Sequence, residues 1–97
     1  MYLVRDVFHT KPGKAKELVK KFKQAEPYMV KQGMKGYKVM TDIATTYWTV
    51  VMESEVEDLS MFAKEVRGGT PDPELGKIME GYMDLVEGGF REIYLLE

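Results

Sequence analysis

Asp6 and His9 stand out first, because both lie in a stretch, Tyr2 to Thr10, whose other residues are mostly apolar, aromatic or β-branched. A carboxylate in mid-strand, flanked on its own face by Val4 and Phe8, must be ion-paired, hydrated or functional. In an apolar pocket such a group is a candidate general base. Strand alternation points Arg5 to the opposite face, so it is not the direct partner of Asp6. Arg91, near the other end of the chain, is the plausible one. His9 is the single histidine of the chain. Imidazole exchanges protons readily near neutrality, which makes His9 the second catalytic candidate; its plainer role is a strand-end residue with one edge in solvent.

Three aromatic residues are candidates for holding a substrate. The indole of Trp48 suits stacking on a planar molecule or burial in an interface. The hydroxyls of Tyr37 and Tyr82 are placed to orient a phenolic ligand, or are the polar tips of core residues. Eight methionines would give a pocket an adaptable, polarisable lining, or simply fill gaps in a small core. Gly68-Gly69-Thr70-Pro71 is not a phosphate loop, because it lacks the Lys-Ser/Thr end and no strand precedes it. No nucleophile–base–orienter set can be assembled, since any such set would rest on His9 alone.

Composition removes whole classes of function. Fourteen basic residues against sixteen acidic ones leave a net charge of −2 over 97 residues, which argues against nucleic-acid binding. The absence of cysteine excludes disulfides, thiol nucleophiles and Cys-ligated metals, and one histidine excludes a multi-His site. No apolar run is long enough to span a bilayer and no leader pattern is present, so a single soluble domain over residues 1–97, cytoplasmic, is expected.

The elements that must position these residues follow from periodicity. Tyr2 to Thr10 reads as a strand, and Lys11-Pro12-Gly13-Lys14 as a turn. Leu18, Phe22, Ala25 and Met29 then recur at helical spacing, with lysines 14, 16, 20, 21 and 23 on a solvated face. Pro27 is expected to kink or divide this helix, and Gly33 to end it. Met34 to Asp42 and Tyr47 to Glu53 read as a hairpin, with Tyr47 and Trp48 on opposite faces of its second strand. A capping-box pattern at Ser54 and Glu57 predicts a helix with the stripe Leu59, Phe62, Ala63, Val66, stopped at Gly68-Gly69. Asp72 and Pro73 restart it, with Leu75, Ile78, Met79, Tyr82, Met83 and Val86 on its apolar side. Gly88-Gly89 ends that piece, and Phe90 to Leu96 is the last strand.

The order is βαββαβ with the second helix in two pieces: an α+β, ferredoxin-like split βαβ sandwich with a four-stranded antiparallel sheet. Helices cover one face. On the other, Phe90 and Tyr94, Tyr47 and Trp48, and Tyr2 and Phe8 offer more apolar surface than water tolerates. A second copy is the economical cover, which predicts a homodimer through the sheet face.

Several short segments resemble the dimeric α/β-barrel superfamily. Lys11-Pro12-Gly13-Lys14 is similar to its lead into the first helix, and Gln32-Gly33-Met34-Lys35-Gly36-Tyr37 to its helix exit and second strand. Met52-Glu53-Ser54-Glu55 is similar to its strand-to-helix junction, with Met52 where a Trp often sits, and Arg91-Glu92-Ile93-Tyr94 to its closing strand. The resemblance implies a dimeric α/β barrel with a pocket between each sheet and its helices, as in antibiotic-biosynthesis-type monooxygenases, haem-degrading monooxygenases and NIPSNAP-like proteins. The haem-degrading branch uses an Asn on strand one and a Trp and a His on helix two. This chain has Asp6, Met61 or Phe62, and no His beyond His9, so haem degradation is rejected. The expectation is a hydrophobic pocket for an aromatic or polyketide-like molecule. The protein would then be either a cofactor-independent, monooxygenase-like enzyme or a non-catalytic binding or stress-response dimer. Whether Asp6 faces the pocket and is unpaired separates the two.

Overall fold

The structure is a computed structural model describing residues 1–60 and 72–97. Strand β1 (Tyr2–Thr10) pairs antiparallel with β3 (Thr49–Val56) on one side and β4 (Val86–Leu95) on the other, and β2 (Lys35–Thr41) lies outside β3. The sheet order is therefore β2-β3-β1-β4. Helices α1 (Ala15–Lys31) and α2 (Pro73–Met79) and a 3₁₀ turn (Tyr82–Leu85) complete the chain order βαββαβ, a ferredoxin-like α+β fold. Among the described residues no helix is long and apolar enough to cross a membrane.

Helix α1 forms as its stripe predicts, burying Leu18, Phe22 and Ala25. It runs unbroken through Pro27, contrary to expectation. Proline removes the bond to the carbonyl four residues back, here that of Lys23. Both residues are exposed, so water can satisfy the released carbonyl. Helix α2 starts as read: the Asp72 carboxylate accepts from the Glu74 N–H at 2.9 Å, with Pro73 at the first helical position.

Even-numbered residues of β1 and β3 face the helices. One buried cluster joins Leu18, Phe22, Val50, Met52 and Leu85, with Phe8 packed against it. A second joins Val4, Met34 and Val56, with Tyr2 packed against it. Asp6 lies between Val4 and Phe8 on that same face, and so falls in the gap between the clusters. The outer face is built in rows by the strand register. Val7 is flanked by Val51 and Phe90, with Met40 beyond Val51; Arg5 is flanked by Glu53 and Glu92; Leu3 is flanked by Glu55 and Tyr94. Arg5 forms ion pairs with Glu53 at 3.0 Å and Glu92 at 3.8 Å.

Four sequence expectations are corrected. Trp48 and Tyr47 lie in the loop before β3, so they are not on opposite strand faces. Tyr2 and Phe8 pack inward with the helices and leave the outer face. Ser54 starts no helix: it is a buried strand residue, and Asp58 instead accepts from the Ser60 N–H at 2.8 Å. The stripe Phe62, Ala63, Val66 and the stop at Gly68-Gly69 lie outside the described residues. Finally, α2 ends at Met79, Gly81 turns with φ +78°, and β4 begins at Val86, so Gly88 and Gly89 are inside the strand.

The glycine at 89 is required by close approach: a Cβ there would lie 2.2 Å from the Val7 carbonyl oxygen. That oxygen belongs to the central strand and has nowhere to retreat. Gly89→Ala is accordingly expected to destabilise the protein by about 3 kcal/mol, the upper range for forced overpacking. Urea denaturation checks this, with Gly88→Ala, which meets nothing within 4 Å, as the mild comparison.

Candidate functional site

The gap between the two apolar clusters opens into a cleft of about 830 Å³ between the sheet and the helices. Among the described residues its walls are Phe8, Phe22, Met29, Met52, Leu75, Met79, Tyr82 and Met83. Phe8 and Phe22 stack at a tilt, with ring centroids 5.1 Å apart. Gly88 and Gly89 contribute bare backbone along β4.

Asp6 is the charged group of this floor contributed by β1, and it is only 4% exposed. Register places Arg91 of β4 directly across from it. The guanidinium grips the carboxylate with two bonds, Nε to Oδ1 at 2.6 Å and Nη2 to Oδ2 at 3.2 Å. Such a bidentate pair fixes both side chains in orientation and supplies the charge partner that a buried carboxylate needs. Asp6 thus faces the cleft and is paired. Lone pairs of the carboxylate beyond the two used by Arg91 remain as acceptors.

The other sequence candidates disperse. Tyr82 lines the same cleft. His9 has the opposite strand parity from Asp6 and lies on the outer face, its Nδ1 3.5 Å from Thr49 Oγ1 and its ring 6.3 Å from that of Phe90. Trp48 lies in the loop before β3, lining a different hollow. Tyr37 projects inward from β2, and its hydroxyl donates to the Phe22 carbonyl at 2.8 Å. Burial, reinforced by the Glu26 and Asp6 carboxylates, pushes its phenol far above the ordinary tyrosine range. Tyr94, on the outer face, donates to Glu92 at 2.6 Å, and that bond raises its phenol also. Among the described residues no cluster of three His, Cys, Asp or Glu is placed to hold a metal.

One positioning residue escaped the sequence reading. Lys21, grouped there with the solvated lysines, donates to the Ile78 carbonyl at 3.2 Å and the Glu80 carbonyl at 2.8 Å. It thereby satisfies carbonyls at the C-terminal end of α2, where a cation is favoured. This ties to α1 the helix that carries Met79 at the cleft wall. Its neighbour Phe22 marks it as a stripe-edge residue, but a contact 57 positions away leaves no local trace.

The Tyr37 phenol makes a pH prediction. A tyrosine raised in the folded state keeps its proton when the unfolded chain loses its own near pH 10. The unfolded state then binds fewer protons and stability falls as pH rises. Tyr37→Phe is expected to cost about 1 kcal/mol at pH 8 through the lost hydrogen bond and to flatten the loss of stability between pH 9 and about 11. Chemical denaturation across that range reads both effects; an unchanged alkaline slope would show that Tyr37 is not its source.

No family model matches the chain, and no curated protein matches it in sequence. Solved structures do match it in shape. An uncharacterised NIPSNAP domain protein from Burkholderia xenovorans superposes with a TM-score of 0.76 at 16% identity, covering 100% of this chain and 95% of that one. A protein from Chloroflexus aurantiacus assigned as an antibiotic biosynthesis monooxygenase gives 0.77 at 11% identity, covering 99% and 92%. Another so assigned, from Deinococcus radiodurans, gives 0.72 at 13% identity, covering 100% and 93%. At such identities the likeness is one of fold. The chain has the ferredoxin-like fold of these NIPSNAP-domain and antibiotic-biosynthesis-monooxygenase-like structures.

Proposed function

We propose that this protein is a homodimer that binds a planar, largely apolar small molecule, aromatic or polyketide-like, in the cleft over Asp6. The observation that carries this reading is the cleft's composition: aromatic rings and methionines surround one buried carboxylate that an ion pair orients. Apolar walls take the ring system, and the single polar point fixes its orientation, the usual division of labour in small-molecule sites. A phenolic or enolic hydroxyl on the ligand would donate to Asp6 through a lone pair not used by Arg91, and Tyr82 lies along the same wall.

A second reading, catalysis, is favoured by the placement of Asp6 inside the cleft. Its base would remove a proton from an activated methylene of the ligand, giving a resonance-stabilised carbanion. Dioxygen as co-reactant would accept the electrons. One oxygen atom would remain on carbon as a carbonyl and the other would leave as water with the two methylene hydrogens. The Arg91 pair weighs for simple binding, because it already engages both carboxylate oxygens. The homodimer rests on the outer face, where Phe90 and Tyr94 are about half exposed beside the row of Val7 and Val51.

Thermal shift against a panel of planar quinols and anthrone-type phenols tests the ligand. A compound at 100 times its dissociation constant should add about 2.7 kcal/mol, several degrees for a domain of this size. Met79→Trp, which fills the cleft, is expected to abolish the shift. Asp6→Asn that keeps the shift supports binding alone, while oxygen uptake lost in Asp6→Asn supports the catalytic reading. No shift with any compound would overturn both. For the assembly, light scattering should give the mass of a dimer, reduced to a monomer by Phe90→Asp; a monomeric wild-type protein would refute it.

A further inference from the structure

We propose that the hollow beside Trp48 is a second ligand site, separate from the cleft over Asp6, and that it takes a planar aromatic anion. The hollow has a volume of about 450 Å³. Tyr47 and Trp48 supply aromatic surface, Ala15 and Val19 of α1 supply aliphatic surface, and Lys16 and Asp42 supply its charges.

The loop carrying the aromatics is firmly built. Trp48 has φ +63°, the only non-glycine residue with positive φ among those described. A bulky side chain there costs about 1–2 kcal/mol of backbone strain. The strained peptide is held because the Trp48 carbonyl accepts from both the N–H and the hydroxyl of buried Thr10, at 2.8 and 3.1 Å. Thr49 fastens the other side: its N–H donates to the Asp42 carboxylate at 2.8 Å, and its hydroxyl to the Thr46 carbonyl at 2.6 Å. Despite this fixing, Tyr47 remains 83% exposed and Trp48 43% exposed. The loop's hydrogen bonds fix the backbone that carries both rings at the surface, and such prior ordering lowers the cost of binding.

Charge selects the ligand class. Lys14 is paired with Glu17, and one oxygen of Asp42 is taken by the loop backbone. Among the described residues Lys16 is in no ion pair, while Asp42 turns one oxygen to the Thr49 N–H, so Lys16 is the cation open to a ligand's carboxylate. A flat ring bearing a carboxylate would stack on the indole or phenol and direct its charge to Lys16. This reading is independent of what the cleft over Asp6 binds.

Trp48 is the only tryptophan of the chain, so its fluorescence reports the site directly. The test titrates the intact protein with trans-cinnamate and, as a neutral equivalent, cinnamamide. Saturable quenching is expected, with cinnamate binding about five-fold tighter, the size of one exposed charge pair. Lys16→Met should erase that difference, and Met79→Trp, which fills the cleft over Asp6, should leave it intact. Four results would overturn the proposal: quenching that rises linearly without saturation, equal affinity for the two compounds, loss of binding in a folded Met79→Trp variant, or a blue-shifted, unresponsive indole in a dimer that Trp48→Lys dissociates. The third would assign the ligand to the other cleft, and the fourth would assign the surface to a second copy of this chain.

Discussion

Two adjacent residues of β1 and two of β4 carry the interaction on which the sheet's register rests. Antiparallel pairing sets Arg5-Asp6 against Arg91-Glu92, so that Asp6 meets Arg91 on the inner face and Arg5 meets Glu92 on the outer face. Hydrophobic patterning protects a register against a slip of one residue, because that slip exchanges the two faces. It protects poorly against a slip of two, which preserves them. Here a two-residue slip would set Asp6 opposite Gly89 or Ile93 and leave a buried carboxylate without its cation. A buried carboxylate left without a charge partner is disfavoured. The ion pair therefore supplies the discrimination that the apolar residues lack, and it does so at the strand that joins the two halves of the sheet.

The same pair determines where the protein can hold a ligand. An apolar residue at position 6 would continue the inner row from Val4 to Phe8. Instead, a carboxylate interrupts the row between Val4 and Phe8, and the two glycines leave β4 bare beside it. Gly89 is fixed by the Val7 carbonyl, but nothing lies near a Cβ at Gly88. Gly88, opposite His9, has the parity of the outer face, and its backbone alone borders the cleft. Lys21 then holds α2 above the opening through its last carbonyls.

Much of this was legible because it depends on local rules. The bounds of β1, the stripe of α1 and the cap at Asp72 follow from alternation, helical spacing and side-chain capping, which act within a few residues. Arg91 as the partner of Asp6 followed from topology, once first and last strands were taken as neighbours. What failed depends on distant atoms. Ser54 with Glu57 has the form of a capping box, but pairing of β3 with β1 extends the strand through Val56 and overrides it. Gly88-Gly89 has the form of a helix stop, and only the closeness of the Val7 carbonyl shows it to be a strand feature. Trp48 was read as a strand residue because aromatics favour strands; its left-handed backbone is imposed by Thr10, 38 positions earlier.

The misplacement of Trp48 has a physical meaning beyond its position. Asp6 and His9 stand out in the sequence as catalytic candidates, and Trp48, Tyr37 and Tyr82 as substrate-holding ones, because they are the residue types that chemistry uses. Strand parity and loop placement separate them: Asp6 and Tyr82 share a cleft, Tyr37 supports the core behind it, His9 lies on the outer face, and Trp48 belongs to another hollow. A sheet with one face toward helices and the other exposed offers distinct environments within 97 residues. A ligand can use the Asp6–Arg91 pair only by entering the cleft between the sheet and the helices, where α2 supplies Leu75 and Met79. The length of that wall, a helix of seven residues hung from Gly81 and Lys21, is therefore as much a part of the site as the carboxylate itself.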